Sequence, residues 1–279
     1  MRTHNKINIT IMQRPIEKNR NDNFIQIIKA INNISFIRDS ILVLHELSYL
    51  RYFCIHENED NKKLAISTNS SIIQIIKDLA IKKNIFIVFP FFEKSKRLYY
   101  NSVLVISPKG KILGKYRKIN LPNELCYHEK YYFDKPTDIP KIINIGSCKI
   151  GLMICWDQWH SSSYKNLVNL GADFIICPTS IGSAFKDNKN ISLPDEKNKW
   201  LNVIKANSLM NNIPIVIANR IGKESYKNRE IRFWGSSFIC NANGDLILKC
   251  KSKDVFSNAI INLNDRLNYK KDWNFSQEE

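Results

Sequence analysis

Three residues in this sequence close apolar stretches with groups that can move a proton or attack carbon. Glu46 follows Ile41-Leu42-Val43-Leu44-His45, so a carboxylate emerges from apolar text, where loss of water raises a carboxyl toward the working range of a general base. A solvated strand-end glutamate is the ordinary alternative. Lys118 closes Gly114-Lys115-Tyr116-Arg117-Lys118, a crowding of cations that a solvated sheet edge also explains. Cys155 ends Gly151-Leu152-Met153-Ile154 and precedes Trp156-Asp157-Gln158-Trp159. That puts a thiol at the carboxyl end of a strand just before a helix, a setting that favours thiolate and recurs for nucleophiles. A buried core cysteine is the competing reading.

The elements that must carry these groups alternate between helical and strand periodicity. Phe24, Ile27, Ile28 and Ile31 repeat as one helix face, followed by a compact strand over Ser40–Leu44. Ile72, Ile73, Ile76, Leu79 and Ala80 form a second helix face, followed by a strand over Ile85–Phe89. Leu98–Ser107 then turns at Pro108-Lys109-Gly110 into Ile112–Tyr116. The second half repeats the scheme, with a strand over Lys149–Cys155, a serine-capped helix over Ser161–Leu170 and a strand over Asp173–Cys177. A helix over Trp200–Met210 and strands at Ile213–Ala218, around Phe233–Cys240, at Leu246–Cys250 and at Asn258–Ile261 complete it, with a turn at Asn241-Ala242-Asn243-Gly244. Two such halves predict an α/β protein in which two mixed sheets pack face to face with helices outside. No Pro/Ser/Gly-rich linker divides the text, so residues 1–279 read as a single domain.

Composition narrows the function classes. Of 279 residues 44% are hydrophobic and 24% charged, which excludes intrinsic disorder and supplies a substantial core. Lys and Arg exceed Asp and Glu by 16, an excess that would suit nucleic acid, an anionic surface or an acidic substrate. Lysines spread along the whole of an Ile- and Asn-rich text read better as coding bias than as a nucleic-acid footprint, which should cluster on one face, and nucleic acid is not an expected partner. No apolar run approaches the roughly 18 residues of a membrane span, and no apolar stretch of signal-peptide length follows Arg2, His4, Asn5 and Lys6. A soluble, cytoplasmic protein is therefore expected. Seven cysteines without a Cys-x-x-Cys pair indicate neither a disulfide framework nor a zinc knuckle. The five histidines lack metal-ligand spacing, and His128 reads as packing or hydrogen bonding near a site. With no Gly-x-Gly-x-x-Gly, neither a metal nor a nucleotide cofactor is expected.

Taken together, Glu46, Lys118 and Cys155 resemble the reacting set of the nitrilase, or carbon-nitrogen hydrolase, superfamily. Leu44-His45-Glu46-Leu47 with Tyr52-Phe53-Cys54, Tyr116-Arg117-Lys118, Tyr127-His128-Glu129-Lys130-Tyr131-Tyr132-Phe133, Gly151–Trp159, Pro178-Thr179-Ser180-Ile181-Gly182-Ser183 and Ala218-Asn219-Arg220-Ile221-Gly222 occur in family order. They look most like the N-carbamoylputrescine amidase branch, and the match runs from about Ile7 to Trp273. The resemblance implies an α-β-β-α sandwich, dimeric through its outer helices, and a cofactor-free hydrolysis of a small molecule. In that scheme Cys155 attacks an amide or ureido carbon, Glu46 moves the proton, Lys118 faces the oxyanion with the backbone N–H after Cys155, and Glu129 holds Lys118. Tyr52, Trp156, Asp157 and Thr179 would line the substrate site.

The departures from the branch concern substrate and assembly. His160-Ser161-Ser162 stands where Phe-Pro-Glu is usual after the second tryptophan, and Ala184-Phe185 where Glu-Pro is usual. Asn123-Glu124-Leu125-Cys126 replaces a glycine-rich stretch, and the text stops at Glu279, short of a basic segment in relatives, so higher assemblies than a dimer are open. Asp157 and Gln158 beside the nucleophile favour a substrate with an amine tail over one with a carboxylate. The expected reaction is hydrolysis of N-carbamoylputrescine to putrescine, carbon dioxide and ammonia. The alternatives are another ureide or ω-amide, or a basic binding protein without activity on the same fold.

Overall fold

The computed structural model describes residues 5–17, 19–137, 141–146, 148–253 and 255–272. The residues up to His4, and those from Trp273 where the motif resemblance ends, lie outside them. In chain order the first half is β1 (Lys6–Met12), α1 (Arg20–Asn32), β2 (Ile41–Leu44), α2 (Ser71–Lys83), β3 (Phe86–Ser95), β4 (Leu98–Ile106), β5 (Ile112–Arg117), β6 (Asn123–Glu124), β7 (Tyr127–His128) and α3 (Glu129–Tyr132). The second half is β8 (Ile143–Ile145), β9 (Cys148–Leu152), α4 (Ser161–Asn169), β10 (Phe174–Pro178), β11 (Gly182–Lys186), β12 (Lys189–Asn190), α5 (Glu196–Met210), β13 (Ile215–Ala218), β14 (Ile221–Tyr226), β15 (Arg229–Trp234), β16 (Phe238–Cys240), β17 (Leu246–Lys249), β18 (Phe256–Asn262) and α6 (Leu263–Asp272).

Two six-stranded sheets, ordered β18-β1-β2-β3-β4-β5 and β17-β16-β13-β10-β9-β8, share one pattern. Three central strands run parallel in each, β1-β2-β3 and β13-β10-β9, and antiparallel strands flank them. Period-2 alternation decides what each face touches. Ile9, Ile11, Ile41, Val43, Val88, Val103 and Val105 join Ile150, Leu152, Ile176 and Val216 in the core between the sheets. Their neighbours Leu42, Leu44, Ile87, Phe89 and Leu104 meet Phe24, Ile27 and Ile31 of α1 and Ile73 and Ile76 of α2 on the outer face. Tyr164 and Leu167 of α4 and Trp200 and Ile204 of α5 are buried beside the second sheet. The expected α-β-β-α sandwich is the observed one.

Local signals account for most of these elements. Asn19 caps α1 by accepting from Asn21 N–H, Ser70 caps α2, and Asn84 ends α2 at φ +53°. The β4–β5 hairpin closes through Gly110 at φ +70°, whose N–H bonds the Ser107 carbonyl at 2.9 Å.

Four expectations are corrected. The strand expected to reach Cys155 stops at Leu152, and Cys155–Trp159 is a turn of 3-10 helix. His160, not a serine, occupies the cap of α4 and makes no side-chain cap bond. The helix expected from Trp200 starts one turn earlier, at Glu196. The strand expected around Phe233–Cys240 is two, because Gly235 at φ +54° and Ser236 at φ +51° break the chain between β15 and β16. β15 belongs to a four-stranded sheet, β12-β11-β15-β14, that periodicity did not suggest. Gly182 opens β11 so close to its partner that a Cβ would lie 2.3 Å from the Arg232 carbonyl oxygen.

Candidate active site

Parallel strands end together, so polar residues just past β2, β9, β10 and β13 converge on one edge of the sandwich. Glu46 follows the four fully buried residues of β2 and is itself 0% exposed. Its Oε1 accepts from Lys118 Nζ at 2.9 Å and from Asn101 Nδ2 at 2.7 Å. Its Oε2 is buried and has no hydrogen-bond partner, which leaves one carboxylate oxygen available to a reacting proton.

Lys118 follows β5 and is tied to β4 through its N–H to the Asn101 carbonyl at 2.8 Å. Its ammonium donates to Glu46 and to both oxygens of Glu129, at 2.8 and 2.7 Å. Burial alone would lower the lysine, but Glu129 and Glu46 outweigh it and hold its pKa well above the ordinary value. It stays an ammonium. Glu129 opens α3 and also accepts from Tyr52 Oη at 2.6 Å. Burial pushes its carboxyl up to about 7, against the pull of Lys118 and with help from Glu46.

Cys155 sits at φ +43°, a left-handed conformation costly for a side-chain residue and a frequent mark of functional positions. Burial raises its thiol above the ordinary range, Glu46 and Glu129 push it further, and Lys118 and a hydrogen bond with Thr179 only moderate this. Against the thiolate expected from its place in the chain, these surroundings favour the neutral thiol. Two carboxylates face one ammonium, and a five-residue 3-10 turn offers little dipole. Such a thiol needs a base at the moment of attack.

Asp157, expected at the substrate, is occupied elsewhere. It is 0% exposed, its Oδ2 accepts from Tyr116 Oη at 2.8 Å and Ile154 N at 2.9 Å, and its Oδ1 accepts from Asn120 N and Nδ2, both at 2.9 Å. With two donors on each oxygen, the carboxylate knots the turn under Cys155. Gln158 links Thr179 Oγ1 at 3.3 Å to Trp200 Nε1 at 2.9 Å. Trp156 is half-buried with its ring 6.2 Å from that of Trp159, while Tyr52 and Thr179 are buried against Glu129 and Cys155. The structure thus brings Glu46, Lys118, Glu129, Cys155, Tyr52 and Thr179 together. His128, half-buried, bonds Arg229 Nη1 at 2.9 Å and lies near Glu57, in line with the hydrogen-bonding role expected for it.

Asn101, Ser180, Arg220 and Glu224 belong to the site and were not singled out by chemistry in the sequence. Asn219-Arg220 stood out only as a motif. Nothing in the text of β4 marks Asn101, whose place against Glu46 exists only after β2, β3 and β4 align.

The chain matches the carbon-nitrogen hydrolase family over residues 8–264. It is 31% identical over 242 residues to a citrullinase of Francisella tularensis, covering 86% of this chain and 83% of that protein. It is 33% identical over 227 residues to an N-carbamoylputrescine amidase of Arabidopsis thaliana, covering 80% and 74%. The crystal structure of a carbon-nitrogen hydrolase from Helicobacter pylori superposes with a TM-score of 0.89 at 27% identity, covering 98% of this chain and 95% of that one. A nitrilase-superfamily protein of Saccharomyces cerevisiae shares the fold at a TM-score of 0.77 and 15% identity, over 98% and 96% of the two chains. This chain, whose strand ends assemble a glutamate, a lysine and a cysteine in one buried site, is a member of the carbon-nitrogen hydrolase family and a carbon-nitrogen hydrolase enzyme.

Proposed function

We propose that the protein hydrolyses the terminal ureido group of N-carbamoylputrescine, giving putrescine, carbon dioxide and ammonia. The observation that supports the reaction type is the buried quartet in which Lys118 bridges Glu46 and Glu129 while Glu46 Oε2 keeps no partner. In this reading Cys155 Sγ bonds to the ureido carbon and its proton passes to Glu46. The carbonyl oxygen takes the negative charge beside Lys118 and the backbone N–H of Trp156. As the C–N bond breaks, Glu46 returns the proton to the leaving nitrogen, and a thiocarbamate remains on Cys155. Water, deprotonated by Glu46, adds to the thiocarbamate, and the thiol leaves with that proton. The carbamic acid so formed decomposes to carbon dioxide and the remaining amine or ammonia.

The choice of substrate rests on likeness to the plant N-carbamoylputrescine amidases, which reaches 33–34% over 77–80% of the chain. A second reading, citrulline, is favoured by likeness to the citrullinase over 86% of the chain. Both molecules present the same terminal ureide and a distal ammonium, and citrulline adds a carboxylate. Asp157 does not enter the choice, since its carboxylate is consumed in the turn.

Ammonia release from N-carbamoylputrescine, citrulline and N-carbamoyl-β-alanine decides between them. N-carbamoylputrescine is expected to exceed both in kcat/KM by about tenfold or more, the worth of about 1.4 kcal/mol. Faster turnover of citrulline would replace the assignment with the second reading. Faster turnover of N-carbamoyl-β-alanine would reject a cationic tail altogether.

A further inference from the structure

One buried side chain holds the turn that carries the general base. Arg220, 0% exposed, donates through Nη2 to the carbonyls of Glu46 at 2.7 Å and Leu47 at 3.2 Å, and through Nη1 to the carbonyl of Leu50 at 3.1 Å. Its Nε donates to Ser180 Oγ at 2.9 Å, and that hydroxyl donates in turn to the Glu46 carbonyl at 3.0 Å. The turn needs such support because Leu47 sits at φ +48°. Three backbone carbonyls of Glu46–Leu50 thus converge on a single guanidinium.

The charge of that guanidinium is met by Glu224, which is 5% exposed and stands on β14 of the small sheet. Its Oε1 accepts from Arg220 Nη1 at 2.8 Å. Its Oε2 accepts the Tyr52 backbone N–H at 2.7 Å and lies 3.6 Å from Arg51 Nε. Tyr52 then reaches Glu129 through its hydroxyl at 2.6 Å. The two oxygens of Glu224 therefore lead by separate routes to the two carboxylates that grip Lys118. One route runs through Arg220 to the Glu46 backbone, the other through Tyr52 to the Glu129 side chain.

We propose that Glu224, acting with Arg220, is a positioning residue that sets Glu46 and Glu129 together against Lys118 and Cys155. The small sheet, absent from the two-sheet core, has in this view the task of presenting that carboxylate. A displaced Glu224 shifts Tyr52 and the Glu46 turn in the same event, so the proton acceptor and the lysine brace lose register together. The inference does not depend on which ureide is the natural substrate.

Steady-state kinetics of Glu224→Asp, Glu224→Gln, Tyr52→Phe and the two double variants tests it, with ammonia release from N-carbamoylputrescine or citrulline, whichever the wild-type protein turns over faster. Glu224→Asp keeps the charge but is one methylene short of spanning Arg220 and Tyr52, and Glu224→Gln keeps the span and loses the charge. Each is expected to lower kcat by about tenfold or more with KM within about twofold, the pattern of a lost transition-state interaction. Because Glu224 and Tyr52 act on the same carboxylate, the kcat losses in the double variants should fall well short of the product of the single losses. Glu230→Gln, on the same sheet and ion-paired to Lys223 and Arg232, should leave kcat within about twofold. Kinetics are compared at temperatures well below each variant's melting point, so that a merely destabilised protein does not imitate the effect. Fully multiplicative losses, or wild-type kcat in both Glu224 variants, would overturn the proposal.

Discussion

Replacing Asp157 by Asn separates a residue that reads the substrate from one that shapes the nucleophile's turn. The exchange keeps the volume but turns one oxygen into an NH2 group. Oδ2 faces the Ile154 N–H and Oδ1 faces the Asn120 N–H, so either orientation of the amide sets a donor against a buried backbone donor. Tyr116 can rotate its hydroxyl to accept, but a backbone N–H cannot. One buried N–H without an acceptor costs about 1–3 kcal/mol, and loss of a charged acceptor adds to it, so about 3 kcal/mol of destabilisation is expected. With an unfolding entropy of about 2.1 cal/mol/K per residue, a chain of this size should lose about 5 °C in Tm. The released Ile154–Asp157 turn no longer holds Cys155 at φ +43°, and kcat should fall by about tenfold or more with little change in KM. Calorimetry and ammonia-release kinetics on the same preparation measure both. Unchanged Tm and kcat, with a KM that rises only for substrates carrying an ammonium, would refute the reasoning and return Asp157 to the substrate.

The raised Cys155 thiol predicts that the 240 nm thiolate absorbance of wild type minus Cys155→Ser shows no step below pH 8; a step there would contradict a neutral resting thiol. Because burial raises Glu129 to about 7, the folded protein binds more protons there than the unfolded chain between the ordinary carboxylate range and that value. The stability this group adds is complete at lower pH and is lost as pH rises toward 7. Wild type should therefore lose about 1 kcal/mol or more relative to Glu129→Gln between pH 5 and pH 8, and denaturant midpoints that stay parallel would argue against it. Sedimentation at micromolar concentration is expected to show a dimer rather than a 32.6 kDa monomer, the assembly through outer helices that the family resemblance implies. A stable, active monomer would refute that expectation.

Much of the architecture is legible in the sequence because strand and helix periods are local. The alternation around Val43, Ile87 and Leu104 and the three-and-four spacing of Ile73, Ile76 and Leu79 assign faces without reference to the rest of the chain. The chemical types of Glu46, Lys118 and Cys155, each at the end of apolar text, also belong to the sequence, as does the motif order that joins Glu129 to them. What required the tertiary structure was anything set by strands distant in sequence. Asn101 meets Glu46 across 55 residues and Arg220 meets the Glu46 carbonyl across 174, and no local pattern encodes such an encounter. The same holds for protonation. Proximity to Cys155 in the chain suggested an acidic substrate contact at Asp157 and a thiolate on the cysteine. The fold instead spends the four hydrogen bonds of Asp157 on the turn and places Cys155 in a buried site with two carboxylates to one ammonium. Residue type is a property of the sequence, whereas the charge a residue carries depends on which groups share its water-free surroundings, and only the folded chain brings those together.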